Sequence, residues 1–298
     1  MLKKLKHDKV LYLMLLIPLI HIFIFRYIPI LGLSIGFTNY NIVDGLFKSE
    51  WVGLKWFYVL FNGDNFMTLL KNSLILSFYS LLIAFPAPII LALSFNELAG
   101  KLFKRFAQTI SYLPYFISTV VVVGLMSELL SPNTGIVNVL LKKIGFDPIF
   151  FMADPQWFRI LYVLSEVWET TGFMAILYLA AITAISPELY EASVMDGAGR
   201  LRKIWHVTLP GIAPTIIILL LMKLGNFMDV GFEKILLMYS PATYETADIF
   251  DTFVYRRGIG SMDYSFATAT GLFKSLIAFA LVVTANRISR KVTDSGLW

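Results

Sequence analysis

Cysteine is absent from the 298 residues and histidine occurs three times. Without thiols there is no disulfide framework and no thiolate metal site, and His7, His21 and His206 are too scattered for a zinc constellation. Charge is also scarce. Asp, Glu, Lys and Arg make up 15% of the chain, against about 25% in ordinary soluble domains. That is too little to cover a water-facing surface. A Gly-rich phosphate loop followed by Lys-Ser or Lys-Thr is missing, and no nucleophile and base pairing for covalent catalysis is readable.

What is present is apolar. Hydrophobic residues are 57% of the chain, gathered into runs of the roughly 20 residues a helix needs to cross the hydrocarbon core. Six spans are expected: Val10 to Phe37, Leu69 to Phe95, Gln108 to Leu130, Ile160 to Ile185, Ala213 to Leu237, and Ser265 to Asn286. Pro29 interrupts the first and Pro86 and Pro88 the second. Such prolines are tolerated because neighbouring helices or water satisfy the freed carbonyls. The lysines before the first run would also suit a secretory signal, but no small-residue cleavage site follows and the apolar stretch resumes beyond Arg26. The expected fold class is an all-α membrane protein of six transmembrane helices, forming a single transmembrane domain over residues 1–298.

Orientation follows from the loop Lys and Arg residues. The N-terminus, the loop after span two (Lys101, Lys104, Arg105), the loop after span four (Arg200, Arg202, Lys203) and the C-terminus together hold thirteen. The opposite loops hold seven. Both termini are therefore expected in the cytoplasm, and the net charge of +5 is an orientation signal rather than a nucleic-acid footprint. The long loops near 38–68, 131–159 and 238–264 then lie outside. Short interfacial or re-entrant elements are expected there, one of them around Trp51, Trp56 and Phe57, because aromatic rings favour the headgroup level.

Ionisable residues at membrane depth are functional candidates by default. Span four carries Glu166 and Glu169, and span five carries Asn226, Asp229 and Glu233. Three- and four-residue spacing puts each set on one helical face, so the two faces could line a polar pocket. Trp168, Thr170 and Thr171 lie beside the first pair, and Lys223 and Lys274 fall near the middle of spans five and six. Carboxylates and amides beside apolar ring surface suit a sugar. The alternative is interhelical ion pairing, for example of Lys223 or Lys274 with Asp229, or solvation near the interface. Lys71 and Glu128 are close enough to span ends to be solvated, and Arg26 is expected to snorkel. Gly32 and Gly36 have the small-residue spacing that permits close helix approach. Taken alone, these carboxylates would equally suit a secondary transporter or channel subunit.

The loop between spans four and five, about 186–212, is built as a knob rather than a tether. Ser186 before Pro187 is a helix-start signal, Glu188 and Glu191 favour the first turns, and Gly197 and Gly199 should break the helix. A short basic segment from Arg200 to His206 then leads to Leu209-Pro210, where the next span is expected to begin.

This loop carries a recognisable string. Glu191-Ala192-Ser193, three residues, Gly197, nine residues, Val207, one residue and Leu209-Pro210 resemble the EAA motif of ABC importer permease subunits. Ser193 and Val207 replace the family's third small residue and its Ile, both conservatively in size. Tyr190-Glu191-Ala192 followed by Asp196-Gly197-Ala198 resembles the carbohydrate, maltose-transporter-like type. Arg26 to Gly32, Trp51 to Leu54, Gly271 to Ser275 and the terminal Gly296-Leu297-Trp298 are similar to the LplB-like oligosaccharide permeases.

The resemblance implies a type I ABC importer permease fold in the bacterial cell membrane. It also implies a second, non-identical permease subunit, two ATPase subunits and an extracytoplasmic sugar-binding protein as partners. Glu191, Ala192, Ser193, Asp196, Gly197, Leu209 and Pro210 would couple to the ATPase. No cofactor is expected on this chain, with ATP and Mg on the partner ATPase. Glu166, Trp168, Glu169, Lys223, Asn226, Asp229, Glu233 and Lys274 are the candidates for the substrate pathway. The same EAA string also occurs in permeases for peptides and amino acids.

Overall fold

The computed structural model describes residues 9–293. Lys3, Lys4 and Lys6 of the basic N-terminus and the Gly296-Leu297-Trp298 match lie outside the described residues. Among the described residues five helices are long and apolar enough to cross a membrane, and a bent helix pair supplies a sixth crossing if counted as one span. In chain order they are span 1 (Lys9–Phe37), span 2 (Phe66–Glu97), span 3 (Lys101–Phe116 with Thr119–Leu129), span 4 (Pro155–Thr183), span 5 (Arg200–Gly225) and span 6 (Tyr264–Lys291). The chain is a multi-pass membrane protein whose regular structure, among the described residues, is helical apart from one two-residue strand pair.

Three spans share a way of holding a proline. A π-helical turn at Phe23–Tyr27 precedes Pro29, one at Ser80–Ala84 precedes Pro86, and one at Ile204–Thr208 precedes Pro210. The wider turn makes room for the pyrrolidine ring where a regular helix would clash with it and lose a hydrogen bond.

Spans 3 and 5 depart from the expected straight helices. Span 3 bends by 100° at its break. A 3-10 turn at Leu113–Phe116 ends the first helix, and the extended Ser118 starts the second by accepting a hydrogen bond from the Val121 N–H at 3.5 Å. Span 5 ends at Gly225 rather than Leu237. The chain is non-helical from Asn226 to Gly231, and helix resumes at Phe232–Met238. Span 5 also begins earlier than expected. Helix is continuous from Arg200, so Leu209 and Pro210 lie inside it.

Contacts divide the chain into two units, Met1–Phe66 with Val254–Ser275, and Met67–Phe253 with Leu276–Trp298. In the first unit, Val10 to Leu31 are largely exposed, as lipid-facing side chains should be. Gly36 is buried, and a Cβ there would come within 3.1 Å of the Ala269 backbone nitrogen. Gly32 has nothing within 4 Å, so only one of the two glycines serves close approach. Thr38–Asn39 pairs antiparallel with Glu50–Trp51. Trp51 stacks on Phe37 with centroids 5.6 Å apart, and Trp56 Nε1 donates to the Thr38 carbonyl at 2.9 Å. The expected element around Trp51, Trp56 and Phe57 is thus a ribbon followed by a short helix, Lys55–Phe61.

In the second unit, span 4 carries two apolar clusters. Phe158, Tyr162 and Val163 join Leu76, Val123, Val230 and Ile235. Ala175, Tyr178 and Ile182 join Ala92 and Ile212. Lipid is as apolar as these side chains, so the fit rests on dispersion and on small residues at close contacts rather than on transfer from water. Gly172 is such a contact, since a Cβ there would overlap the Ser111 carbonyl. Next to it the Phe173 and Tyr115 rings stack 4.0 Å apart. Asn72, fully buried, ties spans 2 and 4 to the helix Tyr244–Ala247. Its Nδ2 donates to the Glu245 and Asp248 carbonyls, both at 3.0 Å, and its Oδ1 accepts from Arg159 at 2.8 Å.

Candidate functional site

Between the two apolar clusters, span 4 presents Glu166, Glu169 and Thr170 to a cavity of about 420 Å³. Ser77 and Ser80 of span 2, Thr119 of span 3, Lys223 at the end of span 5, the irregular segment after it, and Glu233 and Lys234 complete the lining. Irregular backbone at membrane depth persists only where protein buries it or a polar cavity solvates it, and both conditions hold here. The Ser77 hydroxyl donates to the Phe227 carbonyl, and the Asp229 N–H bonds the Asn226 carbonyl at 2.9 Å. Gly231 closes the segment at φ +50°, where a Cβ would stand 2.7 Å from the Tyr162 hydroxyl oxygen. Glycine meets both demands there.

Two ion pairs straddle the break and join it to span 4. Before the break, Lys223 Nζ lies 2.9 Å from Glu166 Oε1, which also accepts from the Ser80 hydroxyl at 2.7 Å. Glu166 Oε2 is buried and has no hydrogen-bond partner. Beyond the break, Lys234 Nζ pairs with Glu169 Oε2 and sits 6.0 Å from the centroid of the Tyr162 ring. The two pairs differ in access: the Lys234 side chain is 9% exposed and the Lys223 side chain 39%.

Removing one partner of a buried pair strands the other charge, at a cost of about 3–5 kcal/mol. Lys234→Met is therefore expected to lower the unfolding temperature of the detergent-solubilised protein sharply, and Glu169→Leu/Lys234→Met to recover most of it. A single variant as stable as the wild type would mean that Glu169 is solvated instead.

Glu166, Glu169, Lys223, Asn226, Asp229 and Glu233 all line the cavity. They do not form two continuous helical faces, because Asn226 and Asp229 lie in the irregular segment and Glu233 in the next helix. Lys223 pairs with Glu166, not with Asp229. Trp168 is half-exposed and does not line the cavity. Two residues of helix turn it about 200° from Glu166. Thr170 lines the cavity, and the Thr171 hydroxyl is buried without a partner. Lys274 belongs to the other unit, where it is buried. Sequence reasoning missed Lys234, Ser80, Tyr162 and Gly231. Lys234 follows Glu233 in the same apolar stretch and satisfies the same rule for intramembrane charge.

The knob is also built as its residues require. The Ser186 side chain accepts from the Glu188 N–H at 3.3 Å and caps the helix Pro187–Met195. Gly197 takes φ +74°. Its N–H donates to the Val194 carbonyl at 3.0 Å and the Ala198 N–H to the Ser193 carbonyl at 2.9 Å, which is the Schellman pattern. The chain re-enters helix at Arg200. Tyr190 and Thr208 share a hydrogen bond of 3.0 Å between their hydroxyls, fastening the short helix to span 5. Glu191, Ala192 and Asp196 are exposed, as are the apolar Val194, Met195, Leu201 and Trp205.

Residues 84–294 match the family described as binding-protein-dependent transport system inner membrane component. The polygalacturonan/rhamnogalacturonan transport system permease protein YteP of Bacillus subtilis (strain 168) is 45% identical, over 99% of this chain and 92% of its own length. Protein LplB of the same organism is 44% identical over the same shares. A chain in the crystal structure of a bacterial alginate ABC transporter, in complex with an alginate pentasaccharide-bound periplasmic protein, superposes with a TM-score of 0.92 at 45% identity, covering 99% of both chains.

Proposed function

Since the chain belongs to the family of binding-protein-dependent transport system inner membrane components, we propose that it is one of two non-identical permease subunits of an ABC importer for oligosaccharides in the bacterial cytoplasmic membrane. Two ATPase subunits dock on the knob, and an extracytoplasmic binding protein delivers the sugar. ATP and Mg are held by the ATPases. Both termini face the cytoplasm, as the excess of Lys and Arg on that side favours.

One observation carries this reading: the capped knob at 187–197 feeds an unbroken helix, Arg200–Gly225, that ends at the polar cavity. At 1.5 Å per residue this helix is about 39 Å long, enough to link the cytoplasmic surface to the cavity. Exposed Glu191 faces a basic groove on the ATPase, Gly197 makes the turn and the Tyr190–Thr208 bond carries motion into the span. Nucleotide-driven closure then rocks the spans and exposes the cavity alternately to either side. The cavity offers carboxylates, amide and hydroxyls for sugar hydroxyls. The permease named for polygalacturonan and rhamnogalacturonan and the transporter solved with an alginate-loaded binding protein support a saccharide cargo.

Purification of the tagged chain from its host, with identification of its partners, tests the reading. A second permease, an ATPase and a sugar-binding protein are expected, and the reconstituted assembly should take up oligosaccharide only with ATP. Uptake by this chain alone in vesicles would replace the reading with that of a secondary carrier.

A further inference from the structure

Resting on the oligosaccharide reading and sharpening its cargo class, we infer that Lys223 reads a carboxylate of the cargo, so that the sugars carried are acidic, uronate-bearing oligosaccharides. The two ion pairs of the cavity are unequal. Lys234 is sealed against Glu169 beside the Tyr162 ring, and its head is not available to a ligand. Lys223 is 39% exposed along its side chain and faces the cavity. Its partner is arranged to release it. Glu166 Oε1 holds the Ser80 hydroxyl as well as the lysine, so this carboxylate keeps a donor when Lys223 swings away. Glu166 Oε2, buried and without a partner, lacks a donor altogether.

A uronate ring supplies both missing parts together. Its carboxylate replaces Glu166 on Lys223, and Glu166, left without its lysine, is held by the Ser80 hydroxyl on Oε1 and by a neighbouring sugar hydroxyl on Oε2. A neutral sugar supplies only the hydroxyl and leaves the lysine where it is. Of the other lining residues, Glu166 and Glu233 carry carboxylates and offer an anion no second anchor. Among the described residues lining this cavity, Lys223 is thus the one exposed cation, and the register of an acidic sugar is set there. The Lys234–Glu169 pair stays closed and holds the segment beyond the break in place.

The test uses the complete transporter, with its partner subunits and binding protein, in proteoliposomes loaded with ATP. A short oligogalacturonide and a neutral arabino-oligosaccharide serve as cargo, with uptake normalised to inserted protein. Wild type takes up the oligogalacturonide, Lys223→Arg retains most of that uptake, and Lys223→Met loses about tenfold or more, the scale expected when one half of a charged contact is removed. Glu166→Gln/Lys223→Met, which strands no charge, is equally impaired. The exchanged pair Glu166→Lys/Lys223→Glu keeps the ion pair but moves the cation to span 4, and it also fails.

Wild-type uptake by the exchanged pair would show the contact to be only structural and would overturn the inference. So would undiminished uptake by both Lys223→Met variants, or a wild type that carries the neutral sugar and no oligogalacturonide. Uptake of neither sugar by the wild type would count against the oligosaccharide reading itself and would take the inference with it.

Discussion

A Gly197→Pro variant is expected to reach the membrane in wild-type amount and to support no ATP-driven uptake above background. Gly197 holds φ +74° and donates its N–H to Val194. Proline can do neither, because its ring fixes φ near −65° and it has no N–H. The Schellman turn must open, and the helix Pro187–Met195 then leaves its fixed angle to span 5. The spans keep their own contacts, so insertion is spared. Gly197→Ala keeps the N–H and meets only the left-handed penalty of about 1–2 kcal/mol, so it should lose part of the activity. Membrane amount by immunoblot, with uptake in the same vesicles, separates the two effects. Normal uptake by Gly197→Pro would remove the knob from the coupling path.

The second large effect is expected at Gly172→Ala, and it is one of folding rather than transport. The added methyl would overlap the carbonyl of Ser111, and backbone cannot move aside as a side-chain tip can. Span 4 and the first helix of span 3 must separate, which also pulls apart the stacked Phe173 and Tyr115 rings. Overpacking of this kind costs about 3 kcal/mol. The variant should melt well below the wild type in detergent and accumulate poorly. Gly124→Ala is a control: there a Cβ would meet nothing within 4 Å. Equal melting of wild type and Gly172→Ala would mean that this crossing is looser than drawn.

Hydropathy located the five long apolar helices and the bent pair because the requirement for about 20 apolar residues acts on composition, and composition is written residue by residue. Hydropathy is blind to where a backbone stops being helical. Asn226 to Gly231 contains Phe227, Met228 and Val230, which keep the run apolar while the chain unwinds. The signal was there in another form, since Asn, Asp and Gly within six residues are loop formers. The acids of the cavity were legible because lipid makes unmatched charge rare. Their partners were not. Whether Lys223 meets Asp229 or Glu166 depends on where span 5 ends, and only the three-dimensional course of the chain decides that. Trp168 could have been set aside from helical periodicity alone, as its neighbours at 166, 169 and 170 define a face that it does not share.

The uninterrupted helix from Arg200 to Gly225 has a further consequence, one of rotational phase. Lys223 meets Glu166 only at one azimuth around that axis, while the other end of the same axis is pinned through Thr208 to Tyr190. Between those two points the length of the helix is quantised. One inserted residue turns the lysine by about 100°, and four nearly restore its direction but carry it about 6 Å along the axis. Side chains facing lipid along this stretch are free to change, but their number is not.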